Sequence, residues 1–202
     1  MKNYAEELAY WYFRFNGFFL IDNYIAHPDD RQHLHPNNPH QANSHSDTDL
    51  IGIKSPFVNE IVGYPEHQCN ILHQLIPEPI ISNTPEFIGI ICEVKAGRVA
   101  TINNNNLPNQ IRRLGLFQNI DEIIDHLQEN HTYQHEGKVI IKIVIKKSPH
   151  IIHSWNTITI HQVHDFIVDR FNFYGNMKEG GWDKFSSFVI QFILKRNDII
   201  LH

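Results

Sequence analysis

The chain holds only two cysteines in 202 residues, Cys69 and Cys92, and no Cys-x-x-Cys pair. Zinc-ribbon and thioredoxin-like chemistry therefore lack their ligands, and two thiols are too few for a disulfide-held scaffold. Cys92 stands inside an apolar run, where a reduced, buried thiol is expected. No stretch approaches the roughly 18 apolar residues that span a bilayer. The opening Met-Lys-Asn-Tyr-Ala-Glu-Glu carries no basic-then-apolar leader. The expectations are no membrane partner and a cytoplasmic location. Positive charge is also scarce, with 17 Lys and Arg against 22 Asp and Glu and a formal net charge of -5. Such a chain is no indiscriminate binder of polyanions. To approach phosphate it needs a local basic surface, a divalent metal or a partner protein.

What is present suits one folded domain, with or without an appendage: 42% of residues are hydrophobic and 19% charged, enough to bury a real core. Tyr4 to Asn16 reads as a very aromatic amphipathic helix, ended by Gly17. Phe18 to Ile25 is a run of strand formers. His27 to Ser46 is a polar loop, and Leu50 to Ile53 a short strand that follows directly on acids. Residues 55–86, with prolines at 56, 65, 77, 79 and 85, read as an insertion with a short helix around Asn70 to Leu75. Phe87 to Lys95 is a strongly apolar, central strand. Asn103 to Asn106 is a loop, Pro108 opens a helix through Leu116, and Ile120 to Gln128 is another. Val139 to Lys147 is a β-branched strand. Beyond Pro149 the pattern turns helical, over Ile160 to Phe173 and Trp182 to Lys195. No internal repeat is visible. The order helix, three strands, helices, strand, helical tail indicates an α/β sheet domain. A core over 1–148 and a C-terminal helical extension over 149–202 follow, the extension packed on the core or at a dimer interface.

Three acid-bearing segments carry the chemistry. They are Ala5-Glu6-Glu7-Leu8-Ala9, Asp47-Thr48-Asp49-Leu50-Ile51, and Glu93-Val94-Lys95 at the end of the apolar strand. Alternate residues of a strand share a face, so Glu93 and Lys95 point the same way, about 7 Å apart. If the two strands are neighbours, Asp49 lies beside Glu93. Two carboxylates, helped by the Val94 carbonyl, then suit a hard divalent ion, Mg2+ or substituting Mn2+. Lys95 is no cation ligand. Beside two carboxylates it stays protonated, placed to orient water or stabilise a phosphorane-like transition state. Glu6 is preferred to Glu7 as the third acid, because 6, 9, 13 and 17 form one helical stripe expected to face the sheet.

This pattern resembles the PD-(D/E)XK nuclease superfamily, in particular its resolvase-type and small endonuclease-like members. The resemblance covers about residues 4 to 148 and implies a restriction-endonuclease-like core, αβββαβ, with a central mixed sheet flanked by helices. It implies that Asp49 and Glu93 bind metal, that Lys95 is catalytic and that Glu6 assists. It implies a nuclease acting on DNA by Mg2+-activated water. The Asp49-to-Glu93 interval is longer than in compact members, and no clear glutamine-plus-tyrosine motif follows the lysine. Gln110 is the nearest glutamine, with Arg112 and Arg113 as candidate phosphate contacts. An RNA-directed nuclease and a catalytically silent binding module in a defence or repair complex are the alternatives. A homodimer would suit the cutting of both strands of a duplex.

Other features read more plainly. His27, His33, His35, His40 and His45 lie in one polar loop without the His-x-x-x-His register of a helical zinc site. The aromatics of the first helix indicate burial on both sides or a dimer contact. Lys142, Lys146 and Lys147 read as a charged, exposed strand edge.

Overall fold

Asn3 and Gly17 bracket the first helix, α1 (Tyr4–Phe15), at which a computed structural model begins its description of residues 3–25, 47–55, 60–61, 68–69, 87–97, 102, 104–174 and 188–196. The His-rich loop and the helix expected around 70–75 lie outside the described residues. Asn3 Oδ1 accepts the Glu6 N–H at 3.0 Å and Glu6 Oε2 accepts the Asn3 N–H at 3.1 Å, a capping box that satisfies two otherwise orphaned donors. At the other end Gly17 takes a φ of 84°. Its N–H bonds the Arg14 carbonyl at 3.0 Å, and the Phe18 N–H bonds the Phe13 carbonyl at 3.1 Å. That closure needs a left-handed residue, which glycine supplies without a Cβ clash.

Six strands form one mixed sheet. They are β1 (Phe19–Ile25), β2 (Asp47–Lys54), β5 (Phe87–Lys95), β6 (Thr132–His135), β7 (Lys138–Lys146) and β8 (Asn156–Thr159). A separate antiparallel pair, β3 (Glu60–Ile61) and β4 (Gln68–Cys69), falls within the expected insertion. The main order is β1-β2-β5-β7-β6, with β8 also paired to β7. The β5–β7 and β7–β8 pairs are parallel and the others antiparallel. The connection from β5 to β7 carries α2 (Leu107–Leu114) and α3 (Asp121–Glu129). After β8 come α4 (Ile160–Tyr174) and α5 (Phe188–Arg196). The architecture is α/β, a six-strand mixed sheet flanked by helices. Among the described residues, no helix is long and apolar enough to cross a membrane.

Strand parity divides the core into two layers. Ile88, Ile90, Cys92 and Val94 of β5, with Val139, Ile141, Ile143 and Ile145 of β7, meet α1, α4 and α5. Ile91, Ile140 and Val144 meet α2 and α3 on the other face. Burial on both faces is why β5 and β7 read as almost continuous apolar runs. The aromatics of α1 are packed by the chain itself: Tyr12 meets Phe166 at 5.0 Å and Phe15 meets Phe171 at 5.7 Å. Gly89 lets α2 close on β5, since a Cβ there would stand 2.7 Å from Leu116 Cδ1 and 3.1 Å from Leu114 Cδ1. Gly89→Val is expected to cost about 1–3 kcal/mol through overpacking, read as a lower midpoint in urea unfolding.

Several sequence expectations are corrected here. β2 is longer than Leu50 to Ile53 because β1 pairs with its acidic start, Ile25 opposite Asp47. The chain beyond Pro149 is not wholly helical, since β8 joins the sheet before α4. Lys142 and Lys146 are not an exposed edge: they are 0% and 1% exposed. Their strand has β5 along one side, and β6 followed by β8 along the other. Lys142 lies beside the changeover, where Nζ donates to the Leu127 carbonyl and lies 5.0 Å from the Trp155 ring centre. Burial pulls its pKa down to about 8.

Candidate functional site: paired carboxylates and a lysine where two strands part

The β2–β5 ladder runs from Lys54 opposite Ile88 to Leu50 opposite Cys92, and stops. One step further the same register would set Asp49 opposite Glu93, and a second step Thr48 opposite Val94. Instead the Asp49 side chain takes over: its Oδ2 accepts the Val94 N–H at 2.6 Å. A carboxylate thus substitutes for a strand carbonyl, and the strands part at the acids. In an extended strand the N–H and C=O of one residue leave by the same edge. The Val94 carbonyl is therefore directed toward Asp49 as well.

Asp49, Glu93 and Lys95 share the sheet face of Ile51 and Ile91, the face covered further along by α2 and α3. Lys95 Nζ lies 2.6 Å from Glu93 Oε2 and 3.6 Å from Asp49 Oδ2, so one ammonium serves both carboxylates. The two acids are mostly buried, with side chains 17% and 11% exposed for Asp49 and Glu93, while Lys95 keeps 30%. Burial pushes the Glu93 carboxyl above the usual glutamate range, and Asp49 adds to the rise against the partial relief from Lys95. For Lys95, burial alone acts downward. Its hydrogen bond to Glu93 and the charges of Glu93 and Asp49 outweigh it, holding the ammonium above the ordinary lysine value. Cys92, on the opposite face, is a free buried thiol, pushed well up by burial and by Asp49 and Glu93.

The raised Glu93 pKa has a consequence for any divalent ion that the pair could hold. A carboxyl with a raised pKa stays protonated to higher pH, so a divalent ion that needs the Glu93 carboxylate should bind progressively better as pH rises through that range. Mn2+ binding followed by calorimetry is expected to weaken already in mildly acidic buffer, before an ordinary glutamate would protonate. A pH-independent affinity between mildly acidic and neutral buffer would contradict it.

The other expected participants divide. Glu6 is not joined to the pair: both its carboxylate oxygens bond Asn3, Oε1 taking the amide Nδ2 and Oε2 the backbone N–H. The buried stripe of α1 is Ala5, Leu8, Ala9, Tyr12 and Phe13, rotated from the 6, 9, 13, 17 stripe because the helix is covered by both the sheet and α4. Glu6 at the third helical position is used by the N-cap instead. Gln110 does reach the site region. It is buried on α2, and its Nε2 donates to Thr48 Oγ1 at 2.7 Å, one residue before Asp49. Arg112 and Arg113 are exposed on the outer side of that helix, Arg112 Nη1 bonding Asn109 Oδ1 at 3.4 Å. A cleft at the α1–β1 corner, lined by Tyr10, Arg14 and Phe19 among others, includes none of these residues.

One residue escaped the sequence reading. Lys146 is the register partner of Lys95 in the parallel β5–β7 pair and is buried on the same face. Its signal was the spacing Lys138, Lys142, Lys146: steps of four in a strand keep one face. Lys142 and Lys146, read with Lys147 as an exposed edge, are instead buried, Lys142 bonding the Leu127 carbonyl of α3 and Lys146 level with Lys95.

No protein-family model, curated protein or solved structure matches this chain. The site is defined by its own geometry: a buried acid pair bridged by a lysine at the fork of an antiparallel strand pair.

Proposed function

We propose that the chain is a Mg2+-dependent nuclease of the PD-(D/E)XK type, hydrolysing phosphodiester bonds of DNA. The observation that carries this reading is the meeting of Asp49, Glu93 and Lys95 on one face where β2 and β5 part. With the β3–β4 pair taken as the insertion and β6 as an added strand, the order α1, β1, β2, β5, α2 with α3, and β7 agrees with the αβββαβ core expected of that class, and β8, α4 and α5 follow it.

The donor set fits the ion. Two carboxylates and a main-chain carbonyl are hard oxygen ligands of the kind that Mg2+ takes together with water. Bound between Asp49 and Glu93, Mg2+ would acidify and aim water and neutralise phosphate charge. The chain's own residues do the rest. Asp49 is held by the Val94 N–H, which orients its second oxygen. Lys95, kept protonated by its neighbours, supplies a fixed positive charge for the pentacoordinate transition state and a donor that steers the attacking water. Gln110, through Thr48, ties α2 to the strand end that carries Asp49, and Arg112 and Arg113 would meet phosphates further along the nucleic acid.

The test is incubation of plasmid, linear and branched DNA with the protein and Mg2+ or Mn2+, beside matched RNA. Wild-type cleavage that is lost with EDTA and in Asp49→Asn supports the proposal. Cleavage surviving Asp49→Asn would sink it. One observation favours the catalytically silent module instead: the Lys95 ammonium is already paired with both acids, which leaves less negative charge to attract a cation. That reading gives no Mg2+ uptake at millimolar concentration and no cleavage, with retained binding to a partner.

A further inference from the structure

On the solvent side of α4, a helix that packs on the sheet face opposite the carboxylate pair, three ligating side chains converge. Thr159 and Gln162 first pin the helix start. Gln162 N–H donates to Thr159 Oγ1 at 3.1 Å, and Gln162 Oε1 accepts the Thr159 N–H at 2.8 Å. This is a capping box that holds the first turn rigid on the end of β8. Val163, Phe166 and Ile167 anchor the opposite face in the core. His161, His164 and Asp165, at the i, i+3 and i+4 positions of one helical patch, are left facing outward.

Their ligand atoms all lie within 4.8 Å of one another. His161 Nε2 is 3.5 Å from Asp165 Oδ2, and His164 Nδ1 is 3.3 Å from Asp165 Oδ1. A tetrahedral ion with bonds of about 2.0–2.1 Å has ligands about 3.3 Å apart. Both separations are close to that length, and because they end on different Asp165 oxygens, the exposed carboxylate has to turn to present one oxygen to both imidazoles. The donors also choose the ion. Two imidazoles and one carboxylate are a borderline set that suits Zn2+ and its first-row neighbours, whereas Mg2+ prefers oxygen alone.

We propose that His161, His164 and Asp165 form a Zn2+-class metal site on α4, separate in place and in chemistry from the acid pair at Glu93. Three ligands from one helix leave a fourth position for water, so this is an open site. It depends on no part of the nuclease reading. The small rotamer adjustments needed fall on side chains that are 84%, 27% and 51% exposed for His161, His164 and Asp165, where nothing in the core has to move.

The experiment is Zn2+ titration of the full chain by calorimetry, with thermal melts with and without the metal. The comparison is with His161→Ala/His164→Ala and with Asp165→Asn. Because other histidines also take up Zn2+, the readout is the difference between proteins. The wild type is expected to bind one equivalent more than the double variant and to gain a Zn2+-dependent rise in Tm that the variant lacks. Asp165→Asn should weaken that equivalent by roughly 10-fold or more. Without metal all three should melt alike, since the changed side chains are on the surface. Equal stoichiometry and affinity in wild type and double variant would overturn the proposal.

Discussion

Lys95→Ala is expected to lower the proposed Mg2+-dependent DNA cleavage by about 1,000-fold while leaving the fold intact. The size follows from what the ammonium does. It is a charge-bearing donor held in a mostly water-excluded site, and loss of one such donor typically costs about 100- to 1,000-fold. The upper end is expected because Lys95 is bound to Glu93 at 2.6 Å and pulled above the ordinary lysine pKa, so that it is both positioned and fully charged. Arginine should restore little, since a planar fork does not occupy the place of a point charge between two carboxylates. The folding consequence is small by comparison. Lys95 is partly exposed, and its removal leaves Asp49 still bonded to the Val94 N–H. Single-turnover cleavage alongside a thermal melt separates the two effects. A variant that cuts within a few-fold of wild type would remove Lys95 from the mechanism.

The second large effect concerns stability. Lys142→Met should change the pH dependence of folding, with the variant gaining on the wild type at neutral pH. An unfolded chain keeps the Lys142 proton up to about its ordinary 10.5, whereas the folded chain releases it near 8 because the group is buried. Between those values the unfolded state carries the extra proton, so wild-type stability rises with pH across that window. The shift corresponds to about 3 kcal/mol between pH 7 and pH 10.5, and methionine, which cannot titrate, lacks it. Methionine also leaves the Leu127 carbonyl without its Nζ donor, a cost that applies at every pH and therefore cancels from the slope. Urea unfolding of both proteins at pH 7, 8.5 and 10 reads the difference directly. A stability difference constant across that range would show that Lys142 titrates as an ordinary lysine.

Local signals were legible where the determining contacts are local. The glycine stop after α1 follows from the backbone geometry of one residue, and β5 was read with its observed bounds because burial on both faces leaves an unbroken apolar run. Glu93 and Lys95 on one face followed from strand parity alone. β6 and β8 were not legible. Thr132–His135 is half polar with no apolar alternation, and Asn156–Thr159 is only four residues long. Each is a strand because β7 offers it an edge, which no short window of sequence contains.

The same distinction separates what the sequence determined from what needed the tertiary structure. Composition, parity and the order of elements were enough to place an acid at the start of one strand and an acid–lysine pair at the end of another in an α/β sheet, but not to make those strands neighbours. Tertiary structure decided which acids meet. Asp49 joins Glu93 because the β2–β5 register brings them opposite and the Asp49 carboxylate captures the Val94 N–H. Glu6 does not, because a capping asparagine three residues earlier satisfies it first. It also turned a supposed edge of lysines into a buried row, since exposure belongs to a strand's neighbours on both sides and those come from distant parts of the chain. Glu6 is kept by a neighbour in sequence, whereas the acid pair and the buried lysines share one physical reason: a side chain's own chemistry is local, but those partners are set by strand pairings that close long loops.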